Sequence, residues 1–271
     1  MESSTASQAT VFPPRFGSPS DIYETADPVC IGSGSFATIY VTKGNPIAFK
    51  VVHYESDSEA LLEEFGALRE LYQKCASSPG FLVPGPKGFY DPAMMMVVFH
   101  SGQSVPLMTA SPEAIAARPI PTLFDGVYSK HGRAMYAMTR VHRFPVDMAH
   151  ILSEKYIPSS FSVKDPPFLL RLYFGKQLKI TRFTNTRNFP VDIERYEYLR
   201  DTAQATLPGS PPLPPVLELV GYMGQTLGKI HFYAGYDARD VEFICGGDGW
   251  SEACFYVIDF NQVNNCPFLC M

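Results

Sequence analysis

The stretch "FYVIDFNQVNN", Phe255–Asn265, decides how the rest of the chain is read. Phe255, Tyr256, Val257 and Ile258 form a short apolar run of strand composition that ends abruptly in Asp259-Phe260. Whether that carboxylate belongs to a site depends on what the upstream sequence can set beside it.

The 271 residues suffice for one large domain or two small lobes with a real core, and 46% hydrophobic with 18% charged residues is the balance of a soluble globular protein. A net charge of −5 and the lack of a Lys/Arg cluster argue against nucleic acid or an anionic membrane as partner. No apolar run is long enough to span a bilayer, and "MESSTASQATVFPPRF" lacks the basic and apolar regions of a secretory signal. Six cysteines are few for a disulfide scaffold of this size, so a reduced, cytoplasmic setting is expected. Cys266 and Cys270 form the only close cysteine pair; without C-x-x-C or H-x-x-x-H spacing they read as free thiols rather than zinc ligands.

Upstream, residues 1–20 are rich in Ser, Thr, Pro and Ala and read as a mobile arm. "ATIYV" and "IAFKVVHY" are β-branched and aromatic runs joined by the turn "TKGNP", and "DSEALLEEFGALRELYQKC" predicts a helix with Leu61, Phe65, Leu68 and Leu71 on its inward face. "AMMMVVFHSG" and "GRAMYAMTRVHRF" predict further strands around a surface excursion near 101–130. "VDMAHILSEKY" predicts a short helix, "PFLLRLYFGKQLKIT" a helix running into a strand, and "FTNTRNFPVDIERYEYL" fits no single element. After the proline-rich break "LPGSPPLPP", Val216–Gly235 predicts an amphipathic helix with Leu217, Val220, Met223, Leu227 and Ile230 on one face and Gly235 as its stop.

Two stretches supply chemistry that Asp259 could join. In "IGSGSFATIYV", Ile31–Val41, Gly32 and Gly34 let a backbone turn lie close over phosphates, and Lys50 on the next strand can pair with the phosphates of a nucleotide. Glu64 lies fourteen residues beyond Lys50 on the predicted helix, with Ala67, Leu68 and Leu71 spaced so that the apolar face packs inward while Glu64 meets Lys50. Glu63 and Glu70 compete for that place.

With "HFYAGYDARDVEFICG" and "CFYVIDFN" the chain resembles the protein-kinase-like superfamily, in which a helix ending in Leu-His leads to a catalytic Asp, an Asn five residues on, and a strand ending in Asp-Phe-Gly. "FLLRLYFGK", "TRNFPVDIERY", "MGQTLGKIHFYAGYDARDVEF" and "YVIDFN", spanning Phe168–Asn261, are more closely similar to a fungal kinase-like family known as a domain of unknown function, some members of which carry a zinc-finger label. The resemblance implies an α+β, protein-kinase-like two-lobed fold. Residues 21–142 would form a complete N-lobe, an antiparallel sheet plus one helix. Residues 143–271 would form a reduced C-lobe lacking the helices after the Asp-Phe-Gly-type motif, with a family-specific insertion at 143–215 and a catalytic-type loop at 231–261.

It further implies roles. Asp237 would orient or deprotonate a hydroxyl, with Asp240 taking that place if the loop is one register off. Asp259 and Glu242, the latter standing where kinases have Asn, would hold Mg²⁺; Gly32, Gly34, Lys50 and Glu64 would serve ATP. Ala37 replaces a third glycine and Asn261 the glycine of Asp-Phe-Gly. Because only ten residues follow Asn261, a protein-substrate platform is not expected. The leading expectation is an ATP- and Mg²⁺-dependent phosphotransferase acting on a small molecule in the inter-lobe cleft. One alternative is a pseudokinase scaffold with a protein partner. Another is a kinase-fold enzyme of fungal secondary metabolism, in which Asp237, Asp240, Glu242 and Asp259 act as acids and bases for rearrangement or cyclisation. Arg171, Arg182, Arg187 and Arg195, with Tyr173, Phe174, Phe183 and Phe189, read either as a lid or pocket for an anionic or aromatic molecule, or as surface charge and packing.

Overall fold

Strand-forming runs and tight turns alternate from Val29 to Val52, and in the computed structural model they fold into three consecutive antiparallel strands, β1 (Val29–Ser33), β2 (Ala37–Val41) and β3 (Ile47–Val52). The structure describes residues 27–75, 80–92, 96–99, 104–106, 123–158, 167–181, 184–185, 187–260 and 264–265. The expected N-terminal arm, Arg182, Phe183, Asn261, Cys266 and Cys270 lie outside these. In the β2–β3 turn Gly44 takes φ 68°, a left-handed conformation that costs a side chain strain, and the Asn45 Oδ1 accepts from the Ile47 amide at 3.1 Å.

The chain is α+β. A seven-stranded antiparallel sheet runs β1-β2-β3-β7-β4-β5-β6, completed by β4 (Pro86–Asp91), β5 (Met96–Phe99), β6 (Ser104–Pro106) and β7 (Met135–Thr139). Helix α1 (Ser58–Cys75) covers one face, with Leu61, Phe65, Leu68 and Leu71 buried as their spacing predicts. Helix α2 (Asp125–His131) contributes to a smaller core of Phe49, Val51, Tyr90, Phe124, Val127 and Met135 on the other face. Because both faces are covered, "IAFKVV" is apolar at nearly every position instead of alternating. The predicted excursion near 101–130 is thus partly structured, since β6 and most of α2 fall within it.

A second, four-stranded sheet runs β12-β11-β8-β9, from β8 (Leu169–Leu172), β9 (Asn188–Val191), β11 (Glu242–Gly247) and β12 (Ala253–Ile258), parallel between β8 and β9 and antiparallel elsewhere. "PFLLRLYFGKQLKIT" therefore contributes a strand and no helix. Leu170 and Leu172 are buried between β11 and β9, and this cross-strand packing overrides the helix propensity of leucine. "FTNTRNFPVDIERYEYL" supplies β9 and α4 (Ile193–Thr206), whose first turn is capped by Asp192 accepting from the Arg195 amide.

Helix α3 (Val146–Tyr156) matches its expected span. Helix α5 (Val216–Gly228) runs into a π-helical segment, Lys229–Ala234, and stops at Gly235 with φ 77°. Its buried face matches the expected one in part: Ile230 is buried and Met223 and Leu227 pack half-buried on the core, but Val216, Leu219 and Thr226 are also inside, whereas Val220 is exposed and Leu217 is 87% exposed. The helix carries apolar residues around most of its circumference, so periodicity alone does not select a face. A two-stranded ladder pairs β10 (Tyr236–Asp237) with β13 (Asn264–Asn265).

A continuous core links the two sheets through α1: Phe65 of α1, packed on Phe89 of the first sheet, belongs to the same cluster as Phe81, Phe243, Phe255 and Val257 around the second. Leu82 joins β12 directly, its amide donating to the Phe255 carbonyl at 2.9 Å and its carbonyl accepting from the Val257 amide at 3.0 Å. Gly246 and Gly247 let β11 approach residues 141–143 closely, where a Cβ on Gly247 would collide with the Arg143 carbonyl. These contacts bring the end of β12 up to the inner face of β3.

Candidate functional site

Lys50 lies mid-strand in β3, with Ile39 of β2 and Tyr136 of β7 directly opposite on either side. Residues opposed across a ladder share a face, so Lys50 and Tyr136 both point toward α1. The Lys50 ammonium donates to both Glu64 carboxylate oxygens, at 2.6 and 2.8 Å, and the Tyr136 hydroxyl donates to Glu64 Oε1 at 3.1 Å. Phe36 stacks beneath the ammonium, 4.9 Å from its ring centre. The pair is buried, Lys50 at 8% and Glu64 at 3% exposure. Burial pushes the Glu64 carboxyl up, with Lys50 pulling part of the way back, and burial beside Glu64 raises the Tyr136 phenol well above its ordinary value.

Asp259 follows the last residue of β12, with its carboxylate 3.8 Å from the Lys50 ammonium. Its φ of 66° is the one positive value at a non-glycine residue among the described residues. That left-handed backbone costs about 1–2 kcal/mol, and such strain is found where a side chain must be aimed. Gly32 sits in the same cross-strand row as Lys50, opposite Ile39, and Gly34 closes the β1–β2 turn by donating to the Ala37 carbonyl at 2.9 Å. Neither glycine has a left-handed φ, and a Cβ on either would meet only ordinary contacts at 3.7 to 3.9 Å. The fold itself therefore imposes no requirement for glycine at these two positions.

The other predicted carboxylates are paired with arginines or exposed. Glu242, the first residue of β11, is paired with Arg171 of β8. Burial raises the Glu242 carboxyl, Arg171 counters this, and Asp259 pushes it up further. Asp237 is half-buried in β10 and paired with Arg239 at 3.2 Å, while Asp240 is exposed in the following turn. Among the described residues no group of three or more His, Cys, Asp and Glu side chains could hold a metal ion.

The predicted arginine and aromatic group divides by role. Arg195 is buried with Asp192, Phe189 is core, and Phe174 packs edge-on against Tyr196 at 5.4 Å. Arg171 reaches Glu242 with Tyr173 beside it, the guanidinium 5.2 Å from the ring centre, while Arg187 is exposed. Tyr136, Phe36 and Arg239 were absent from the predicted site. Tyr136 could have been inferred from the strand residues that must flank a buried lysine, and Phe36 from the aromatic in the glycine turn before β2. Two concavities of about 100 and 600 Å³ lie at the proline-rich turn, lined by Arg200, Gln204, Pro212 and Leu213. They contain none of the charged groups around Lys50. The Lys50 cluster is the better candidate because buried, converging charges need a reason that a shallow surface hollow does not. Comparison with protein-family models, curated proteins and solved structures finds no match to this chain.

Proposed function

We propose that the chain has a protein-kinase-like two-lobed fold and binds ATP with a divalent cation at Lys50, Glu64 and Asp259, transferring the γ-phosphoryl group to the hydroxyl of a small molecule. The observation that carries this reading is the long-range convergence of a buried Lys50–Glu64 pair on Asp259, which is held in a strained left-handed backbone. A buried ion pair is often replaceable by an apolar pair with little change in stability, so the charges here favour a role in ligand binding. Lys50, fixed by Glu64 and Tyr136, would hold the α and β phosphates, and Gly32 and Gly34 would allow the β1–β2 turn to approach them. Asp259 would hold a divalent cation, which would supply positive charge to the bound phosphates. Asp237 would accept the proton of the attacking hydroxyl, which requires the Arg239 pair to open.

Melting the protein with and without ATP and Mg²⁺ tests the binding part. A ligand present at a hundredfold its dissociation constant stabilises the native state by about 2.7 kcal/mol, and Lys50→Met is expected to abolish that shift. No shift with any nucleotide overturns the reading. A second reading, nucleotide binding by a scaffold without turnover, draws on the arginine pairing of both Asp237 and Glu242. It differs in its outcome: an ATP-dependent melting shift with no ADP released over any small-molecule acceptor.

A further inference from the structure

Arg171 comes from β8, the strand that sits beside β11 through the pairs Arg171–Ile244 and Leu170–Cys245. Glu242 lies two residues before Ile244, so its side chain emerges on the same face of the sheet as Arg171. Glu242 also pairs with Ile258, the residue before Asp259. Arg171 therefore reaches the one carboxylate that stands next to Asp259 across the β11–β12 ladder. The guanidinium is held from behind by Tyr173, whose amide is fixed to the Val191 carbonyl of β9 at 2.8 Å. Around Asp259 two cations, Lys50 and Arg171, pair with carboxylates, Lys50 with Glu64 and Asp259 and Arg171 with Glu242.

We infer that Arg171 stands in for a second divalent cation: by occupying Glu242 it keeps that carboxylate out of cation coordination, so the chain takes ATP with one divalent cation, at Asp259, rather than two. This rests on the nucleotide-binding reading above. An arginine is a permanent cation with a planar fork matched to carboxylate and phosphate oxygens. It can lend positive charge to the phosphates without exchanging with solvent as a bound ion does. A lone Glu242 would instead set an unpaired carboxylate near the polyphosphate and attract a further cation.

The test counts Mn²⁺ by electron paramagnetic resonance at saturating non-hydrolysable ATP analogue, with melting curves on every variant. Wild type is expected to bind one Mn²⁺ per chain. Glu242→Gln, which still accepts from Arg171, keeps one with affinity within about threefold of wild type. Arg171→Gln frees Glu242 and gains a second Mn²⁺; should that variant unfold, the Glu242→Gln arm decides by itself. Two Mn²⁺ on wild type, a tenfold or greater loss of Mn²⁺ affinity in Glu242→Gln, or a folded Arg171→Gln that still binds one, each overturns the inference while leaving nucleotide binding intact. Absence of nucleotide and Mn²⁺ binding in wild type overturns the nucleotide-binding reading itself and the inference with it.

Discussion

Two buried ion pairs in this chain do different things. Asp192–Arg195 is local, three residues apart, and its backbone contacts serve architecture. Asp192 caps α4 through the Arg195 amide at 3.1 Å and accepts from the Leu178 amide at 2.9 Å, while Arg195 donates to the Leu178 carbonyl at 2.6 Å. The pair starts a helix and pins the loop before β9. Lys50–Glu64 spans a strand and a helix, caps nothing and fixes no loop. Its other neighbours are a tyrosine, an aromatic ring and the strained Asp259. Removing charges from the water costs free energy in both cases. In the first pair backbone contacts contribute to offsetting that cost; in the second the offset comes from side chains alone, the Tyr136 hydroxyl and the Phe36 ring, and the proposed function draws on that difference.

The comparison breaks most sharply at Asp192→Ala. This variant leaves Arg195 buried and unpaired and strips the α4 cap, so urea unfolding should show a loss of about 3–5 kcal/mol. Lys50→Met should cost somewhat less, about 3 kcal/mol at pH 7 by the same measurement, because the raised Glu64 carboxyl can take up a proton instead of remaining charged. Paired replacements should then separate the two sites. Lys50→Met with Glu64→Leu is expected within about 1 kcal/mol of wild type, whereas Asp192→Leu with Arg195→Met should stay about 2 kcal/mol or more below it, since the cap and the Leu178 contacts are not restored. Equal losses in the two double variants would erase the distinction.

The smallest effect concerns Glu70, which contacts Lys74 and accepts from the Tyr236 hydroxyl at 2.7 Å, tying α1 to the strand that carries Asp237. The Lys74 contact and the Tyr236 hydrogen bond hold its carboxyl below the ordinary value of 4.5. A depressed carboxyl stabilises the native state above its unfolded value and loses that contribution as pH falls through the folded one. The advantage of wild type over Glu70→Gln in urea midpoint should therefore be present at pH 7 and shrink steadily below about pH 4.5. An advantage independent of pH would mean that Glu70 acts only through packing.

Much of this pairing was legible in the sequence because it rests on strong local signals. "ATIYV", the turn with Gly44 and "IAFKVV" can form little but a hairpin, and the stripe from Leu61 to Leu71 fixes which way Glu64 faces. What the sequence hid depends on distant partners. Arg171 and Glu242 meet only because "LLRL", four residues with helix-favouring composition, is recruited into a sheet by β11 and β9. The exposed face of α5 is hidden in the sequence because Leu217 and Leu219 are equivalent in chemistry, and packing against α4, with the π-helical continuation held on α1, decides between them. Spacing favours Asp237 over Asp240 through its five-residue offset to Glu242, and exposure and the Arg239 contact add a distinction that spacing does not carry.

The left-handed backbone at Asp259 carries one more consequence. Glycine adopts φ 66° without strain, so Asp259→Gly should relieve about 1 kcal/mol while deleting the carboxylate. A laboratory selection for heat resistance alone, with no demand on ligand binding, should accordingly enrich glycine at position 259. The same library selected for retention on an ATP resin should enrich aspartate there.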